Sequence, residues 1–440
     1  MEKAPKALPI GVRRSLAVYV ASALAAAFPA VAMQVTDCGD TGPGTLREAL
    51  LTDSVIDVSA CSQITLSTGE LVVPWNNANI SGNHTLVTAS GASRVFSHTG
   101  SGALTLWNLE IADGAVTGLY AAGGCIASQG TVQLLGTTVR NCTVTGQTNP
   151  PAGGSVSGGG IYARESVSLD RSIVRDNTLV SGMGTYSYAR GGGVFASGDL
   201  TMSESTISGN TVVGRESYCR GGGAEIAGGV GIYGSTISGN DAPSAGGATF
   251  GTSLSTSFLV NSTVSGNHAH AATAGIVSSD ATLHISNSTI AFNEADGPAG
   301  ASSPIGAGLF ALAPNAYLFL RSSIIARNTR AGSADDLNAM NPMAIAGSHN
   351  VIIVTNRPLP ADTITVDPML APLADNGGRV RTHALRAGSP GIDRGDNFLL
   401  ESWDARGNGF DRVAGAAADI GAYEVQADLL LDRIFDDGFD

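Results

Sequence analysis

The sequence predicts an all-β chain wound as a single-stranded parallel β-helix, a solenoid of about nine or ten coils with a short N-terminal capping helix. Three observations predict it. The motif Ser205-Thr206-Ile207-Ser208-Gly209-Asn210 returns at residues 235–240 and 262–267, with degenerate copies ending at Asn177, Asn293 and Asn328. Within each copy the apolar residues alternate with period two, the mark of strands rather than helices. The copies recur every 26 to 35 residues without a hairpin signal between them. Propeller blades need about 40 or more residues and four hairpin-linked strands, so a coil of three short strands per period fits better.

Residues 1–32 read as a secretory signal peptide: basic Lys3, Lys6, Arg13 and Arg14, an apolar Ala-rich run over residues 15–28, then the small-x-small site Ala30-Val31-Ala32. An apolar run of about 14 residues is short of the roughly 20 that a membrane span needs. The predicted mature chain is more acidic than the whole. Residues 1–32 carry four Lys/Arg and Glu2, so removing their net +3 takes the charge from −13 to −16. Both lysines lie in that segment. A lysine-free acidic surface is a poor match for nucleic acid, whose binding needs clustered cations, and it excludes lysine nucleophiles and Schiff bases.

Residues 33–62 form an N-terminal cap. Residues 44–50 carry the short helical pattern, and a helix there covers the open end of a repeat stack. Five cysteines in an exported chain permit disulfides. Cys38 and Cys61 flank the first structured segment and are the expected pair. Among Cys125, Cys142 and Cys219 the sequence does not choose a partner, and one thiol is left over.

Residues 63–360 form the repeats. Aligned on the terminal asparagine, one column reads Asn83, Gly114, Cys142, Asn177, Asn210, Asn240, Asn267, Asn293, Asn328. Three residues earlier an aliphatic column reads Ile80, Ile111, Val139, Val174, Ile207, Ile237, Val264, Ile290, Ile325. Two before that is a small hydroxyl: Thr137, Ser172, Ser205, Ser235, Ser262, Ser288, Ser323. The parity change between Met202 and Ser205 predicts one corner. Gly209-Asn210 predicts a second, since Gly and Asn accept a left-handed backbone at little cost. Glycine runs beginning at Gly158, Gly191 and Gly221 predict a third. The core of each coil is of fixed length, whereas the segment from Asn to the next glycine run varies and reads as a loop. Ile and Val are expected inside, Ser as a stacked small filler, and Asn as a hydrogen-bonded corner ladder.

The Gly-Gly-h…Ser-h-h-x-x-Asn pattern resembles the right-handed parallel β-helix superfamily, and in particular bacterial surface and autotransporter-type repeats. Right-handedness is what that resemblance implies. Residues 361–425 carry a different text: Asp367-Pro368, Asn376-Gly377-Gly378, Gly388-Ser389-Pro390, Ile392-Asp393, Asp404-Ala405-Arg406-Gly407 and Asp419-Ile420-Gly421-Ala422-Tyr423-Glu424. Their order resembles the choice-of-anchor Q region that closes many exported β-helix proteins. Residues 426–440 form a short acidic tail, read either as a sorting signal or as a solvated end.

Several residues are weighed as chemistry. Asp170, Arg171, Arg175 and Asp176, with Arg164 and Glu165 before them, come nearest to the carboxylate-plus-arginine set that a polysaccharide lyase of this superfamily implies. Exposed ion pairs of this kind are usually of little consequence. His268, His270 and His284 have metal-like spacing, but the segment reads as a loop and no nearby carboxylate completes a site. Asp393, Asp396, Asp404, Asp411 and Asp419 match no calcium loop, and the glycine runs lack the Lys of a phosphate loop. The expectation is therefore no catalytic, cofactor-binding or metal residue and no cofactor. The expected partner is an extracellular glycan or protein surface, with no nucleic acid and no transmembrane span. The protein is expected to be monomeric, secreted or at the cell surface, adhesin-like, with a secreted polysaccharide lyase as the alternative.

Overall fold

The computed structural model describes residues 32–147, 154–182, 187–215, 219–251, 255–297, 306–312, 317–340 and 345–426. The expected signal segment up to residue 31 and the tail beyond Gln426 lie outside the described residues. A 21-stranded sheet, a ten-stranded sheet and a nine-stranded sheet run the length of the chain, with three further strands in a small fourth sheet. Pairing is parallel and in register from coil to coil: Val174 lies on Ile207, Ile207 on Ile237, Ile237 on Val264, and Val264 on Ile290. The aliphatic column from Ile80 to Ile325 has no solvent exposure at any of its nine positions. Like residues stack on like, so each coil buries its neighbour's apolar face and the core is continuous.

The expected three strands per coil are four. After Ala196 and Ser203, the strand Thr206–Ser208 is followed by Thr211–Val213 beyond the asparagine. This last strand, expected as part of a loop, stacks through Thr178–Val180, Asp241–Ala242 and His268–Ala269 into the nine-stranded sheet. With two to four residues and as few as one inward side chain (Leu179, Val212, Ala242, Ala269), it is too short to display an alternation.

The corners fall where the sequence sets them, with Gly158, Gly191 and Gly221 left-handed. Left-handed backbone falls six residues before each asparagine, at Arg171, Glu204, Gly234, Asn261, Asn287 and Ser322 (φ 45–50°), and again one residue before it, at Asp176, Gly209, Gly239, Gly266, Phe292 and Arg327 (φ 56–64°). The asparagine itself is not left-handed. Its work is done by the amide: Asn210 donates from N and Nδ2 to Asn240 Oδ1 (3.0 and 2.9 Å) and from Nδ2 to the Val174 carbonyl (3.0 Å). The same ladder runs from Asn177 to Asn328 and ends on the Asp336 carboxylate at 2.9 and 3.0 Å. The serines are more than filler. Ser172 N donates to Ser205 Oγ, Ser205 N to Ser235 Oγ and Ser235 N to Ser262 Oγ (3.0–3.1 Å), each satisfying a buried corner amide that the strand ladder misses. An orphaned buried amide would cost about 1–3 kcal/mol.

The N-terminal end is closed by α1 (Leu46–Thr52), capped by Thr45 and burying Leu46, Ala49 and Leu50. Asp40 accepts from Ser67 N and Thr68 N at 2.8 Å and pairs with Arg47 at 2.7 Å. Strands Met33–Gln34 and Val55–Asp57 join the long sheet, so the winding already includes the cap. Cys38 and Cys61 are bonded as expected. The second disulfide is Cys125–Cys142, which leaves Cys219 buried and free.

The chain after the last coil (Ile345–Ser348, Val351–Ile352) turns back along the outside of the long sheet. Its Leu370, Leu385 and Ile420 pack on Ala291, Ile324, Ala326 and Val351 in a second apolar cluster.

Candidate functional site

The returning segment and the corners of the solenoid enclose a cleft of about 810 Å³. One wall is the second corner of three successive coils: Ser208-Gly209, Ser238-Gly239 and Ser265-Gly266, continued by Phe292 and Arg327. The other is Asp367, Met369, Leu370, Pro372, Leu373, Arg381, His383 and Arg386. Arg327 clamps the end by a two-point ion pair to Asp367, with Nε to Oδ1 at 2.8 Å. That guanidinium holds the Asp367 carboxyl below the usual carboxylate range. Arg381 and Arg386 are exposed. His383 joins the walls: Nδ1 lies 2.7 Å from the Ala371 carbonyl and Nε2 2.7 Å from Ser265 Oγ. Nδ1 therefore carries the proton and Ser265 donates to Nε2. Burial lowers the imidazole pKa. The hydroxyl–imidazole–carbonyl chain has the order of a nucleophile relay, but Ser265 and His383 are 2% and 3% exposed. At that burial it tethers the two walls and does not meet a substrate.

Residues 94–309 match the family model described as the right handed beta helix region. With the parallel stacking above, that decides the hand. The protein is a right-handed parallel β-helix. No curated protein and no solved structure matches the chain.

On this β-helix the sequence-weighed lyase residues do not converge. Arg171 binds its neighbour Asp170 at 2.8 Å and Arg175 binds its neighbour Asp176 at 2.5 Å, with 28–49% of each side chain exposed. Arg171, hydrogen-bonded to Asp170 with Glu204 nearby, has its pKa raised. Arg164 reaches Gln129 Oε1 at 3.5 Å. None of these residues lines the cleft.

Three of the weighed C-terminal acids, Asp393, Asp404 and Asp419, hold the fold of that region. Asp404 pairs with Arg406 at 2.6 Å and accepts from Glu424 N at 2.8 Å. Arg406 lies between the Phe410 and Tyr423 rings, 4.0 and 3.9 Å from their centroids. Asp419 accepts from Asp393 N and Val425 N, and Asp393 from Ala417 N. Arg412, fully buried, donates to the Gly421 carbonyl at 2.9 Å and faces Glu424 at 3.4 Å. Burial pushes Glu424 up to about 7 despite the amides of Ala414 and Asp419.

The histidine expectation needs correction. His268 lies in a strand, not a loop, and carboxylates stand on both sides of it. In-register stacking sets Asp241 against His268 from the coil below and brings Asp296 from the coil above. Asp241 Oδ1 is 2.7 Å from His268 Nδ1 and 3.4 Å from His270 Nε2; Asp296 Oδ2 is 3.0 Å from His268 Nε2 and 3.3 Å from His270 Nδ1. Burial lowers the His268 pKa, but the hydrogen bonds to Asp296 and Asp241 outweigh it and the net shift is upward. The sequence could not complete this cluster because its carboxylates lie 26 to 29 residues from its histidines. Register between coils is the missing signal. His284 instead stacks between Phe258 and Phe319, 5.0 and 4.8 Å between centroids.

Proposed function

We propose that the protein is an exported binding module, secreted or held at the cell surface, whose cleft takes an extended acidic glycan. The observation that carries this reading is the cleft: three like corners repeat along one wall, and the exposed guanidiniums of Arg381 and Arg386 lie on the other beside Leu370 and Leu373. Its volume falls in the range of ligand sites. The repeat of the corners at the coil spacing, about 4.8 Å, suits a polymer lying along the coil axis, and guanidiniums suit carboxylate groups. Two disulfides and the basic–apolar N-terminus favour export. The motif order of residues 366–425 favours a choice-of-anchor Q region, and on this reading that region builds half of the binding site.

Calorimetric titration with a panel of uronic-acid oligosaccharides tests it. Saturable binding is expected, weakened at least about tenfold by Arg381→Ala or Arg386→Ala, since a charge-assisted hydrogen bond contributes about 1.5–3 kcal/mol. No binding across the panel, or binding indifferent to both changes, overturns the glycan reading. Release of unsaturated ends on incubation with calcium, abolished by Arg171→Ala or Arg175→Ala, would establish the lyase instead.

A further inference from the structure

We infer that Asp241, His268 and His270 form a binding site for a divalent first-row transition cation such as Zn²⁺, with Asp296 as the carboxylate that orients both imidazoles. The three ligand atoms lie within 4.8 Å of one another. The chemistry follows from how the four side chains share their atoms. Asp296 Oδ2 faces His268 Nε2 at 3.0 Å and His270 Nδ1 at 3.3 Å. A carboxylate only accepts, so each imidazole donates to the carboxylates beside it, and a cation that takes the place of the proton on the Asp241 side leaves the proton facing Asp296 where it is. The nitrogens freed in that exchange, His268 Nδ1 and His270 Nε2, both face Asp241 Oδ1, at 2.7 and 3.4 Å. Two imidazole nitrogens and a carboxylate oxygen directed at one place form a ligand set in which a divalent cation replaces the shared protons. A carboxylate on the far nitrogen of a metal-binding histidine is the usual device for fixing its tautomer and raising its basicity.

The dimensions agree. Bonds of about 2.0–2.2 Å in a tetrahedral site set ligand atoms about 3.4 Å apart. His270 Nε2 and Asp241 Oδ1 are already 3.4 Å apart. The 2.7 Å between His268 Nδ1 and Asp241 Oδ1 opens to that value by a small rotation of a carboxylate that is one-third exposed. Two nitrogens and one oxygen select zinc, nickel, cobalt or copper over calcium and magnesium, which take oxygen. The partial exposure of His270 and Asp296 leaves a path for the ion and a fourth position for water. Its ligands come from two successive coils and its orienting carboxylate from a third, so the cation staples a stack otherwise held by nearest-neighbour contacts.

The test is calorimetric titration of the tag-free, chelator-treated full chain with ZnCl₂, NiCl₂ and CaCl₂, together with melting curves. Expected are one Zn²⁺ per chain, a zinc-dependent rise in melting temperature, and no calcium response from this site. His268→Gln or His270→Gln should weaken zinc binding by more than about 100-fold, and Asp296→Asn by about 10–100-fold; His349→Gln should leave it unchanged. Zinc binding that is absent, or unaffected by His268→Gln and His270→Gln, overturns the inference. Should the histidine variants fail to fold, the Co²⁺ absorption spectrum of the unaltered chain decides: tetrahedral nitrogen–oxygen bands support the site, and a hexa-aqua spectrum removes it.

Discussion

Ile173 and Ile324 occupy the same place in two coils, the outward residue just before the aliphatic core column, yet one is 39% exposed and the other 1%. The whole column divides in this way. Thr138, Ile173 and Thr206 are partly or fully open to solvent, whereas Thr236, Thr263, Thr289 and Ile324 are buried. The returning C-terminal segment makes the difference: Thr236 Oγ1 donates to the Arg381 carbonyl, Thr289 Oγ1 accepts from Ala422 N, and Ile420 packs on Ile324. A repeat position therefore fixes what faces inward but not what happens outside. A threonine that only solvates one coil is part of an interface in another.

Three measurements would break or sharpen the contrast. The largest effect is expected from Ile324→Asp, which buries an unpaired carboxylate under the returning segment and should cost about 4 kcal/mol or more. Ile173→Asp should change stability by no more than about 0.5 kcal/mol. Equal shifts in the urea midpoint would show that the cover does not form.

Next, pH should loosen the two ends in opposite directions. Asp40 in the N-terminal cap is held far below its ordinary 3.8: burial opposes this, but the hydrogen bonds from Ser67, Thr68 and Arg47 prevail. Its contribution is full above that value and is lost as pH falls below it. Glu424 in the cover is raised from 4.5 to about 7, chiefly by burial. Its contribution, about 3 kcal/mol at most, is full below 4.5 and is lost as pH rises through 7. Hydrogen exchange should show the cap opening in acid and the cover opening between about pH 5 and 8, with Glu424→Gln flattening the second profile. If both ends opened over a single pH range, the assignment would fail. The smallest effect belongs to the exposed pairs: Arg171→Ala and Arg175→Ala should each move the melting midpoint negligibly, within about 0.5 kcal/mol.

How far the chain could be read depends on whether a feature repeats along one coil or between coils. The aliphatic column, the asparagine ladder and the Cys38–Cys61 bond follow from local spacing. The Cys125–Cys142 bond does not: the sequence leaves Cys125, Cys142 and Cys219 open, and the contact between two columns decides it. Cys142 holds the asparagine place, and Cys125 precedes it by 17 residues, as Gly160 precedes Asn177 (177 − 160 = 17). In the coil of Asn177 a Cβ at Gly160 would lie 2.9 Å from the amide carbon, so these two columns touch, and two cysteines placed in them bond. The strand after the asparagine was hidden by its length. The second corner was legible as the pair Gly209-Asn210, and the structure gives the left-handed backbone to the glycine.

By itself the sequence determined the interior: a period-two pattern at a nearly constant spacing allows one way to bury its apolar columns, by stacking. Tertiary structure alone decided the exterior. It settled which outward faces the segment after residue 360 covers, how the Ser-Gly corners become one wall of a cleft, and how Asp241 and Asp296 reach His268 and His270. The physical reason is range. Alternation is imposed by the backbone within a few residues, whereas these contacts join atoms 26 to 145 positions apart. They depend on loop lengths between coils, and no local rule encodes those.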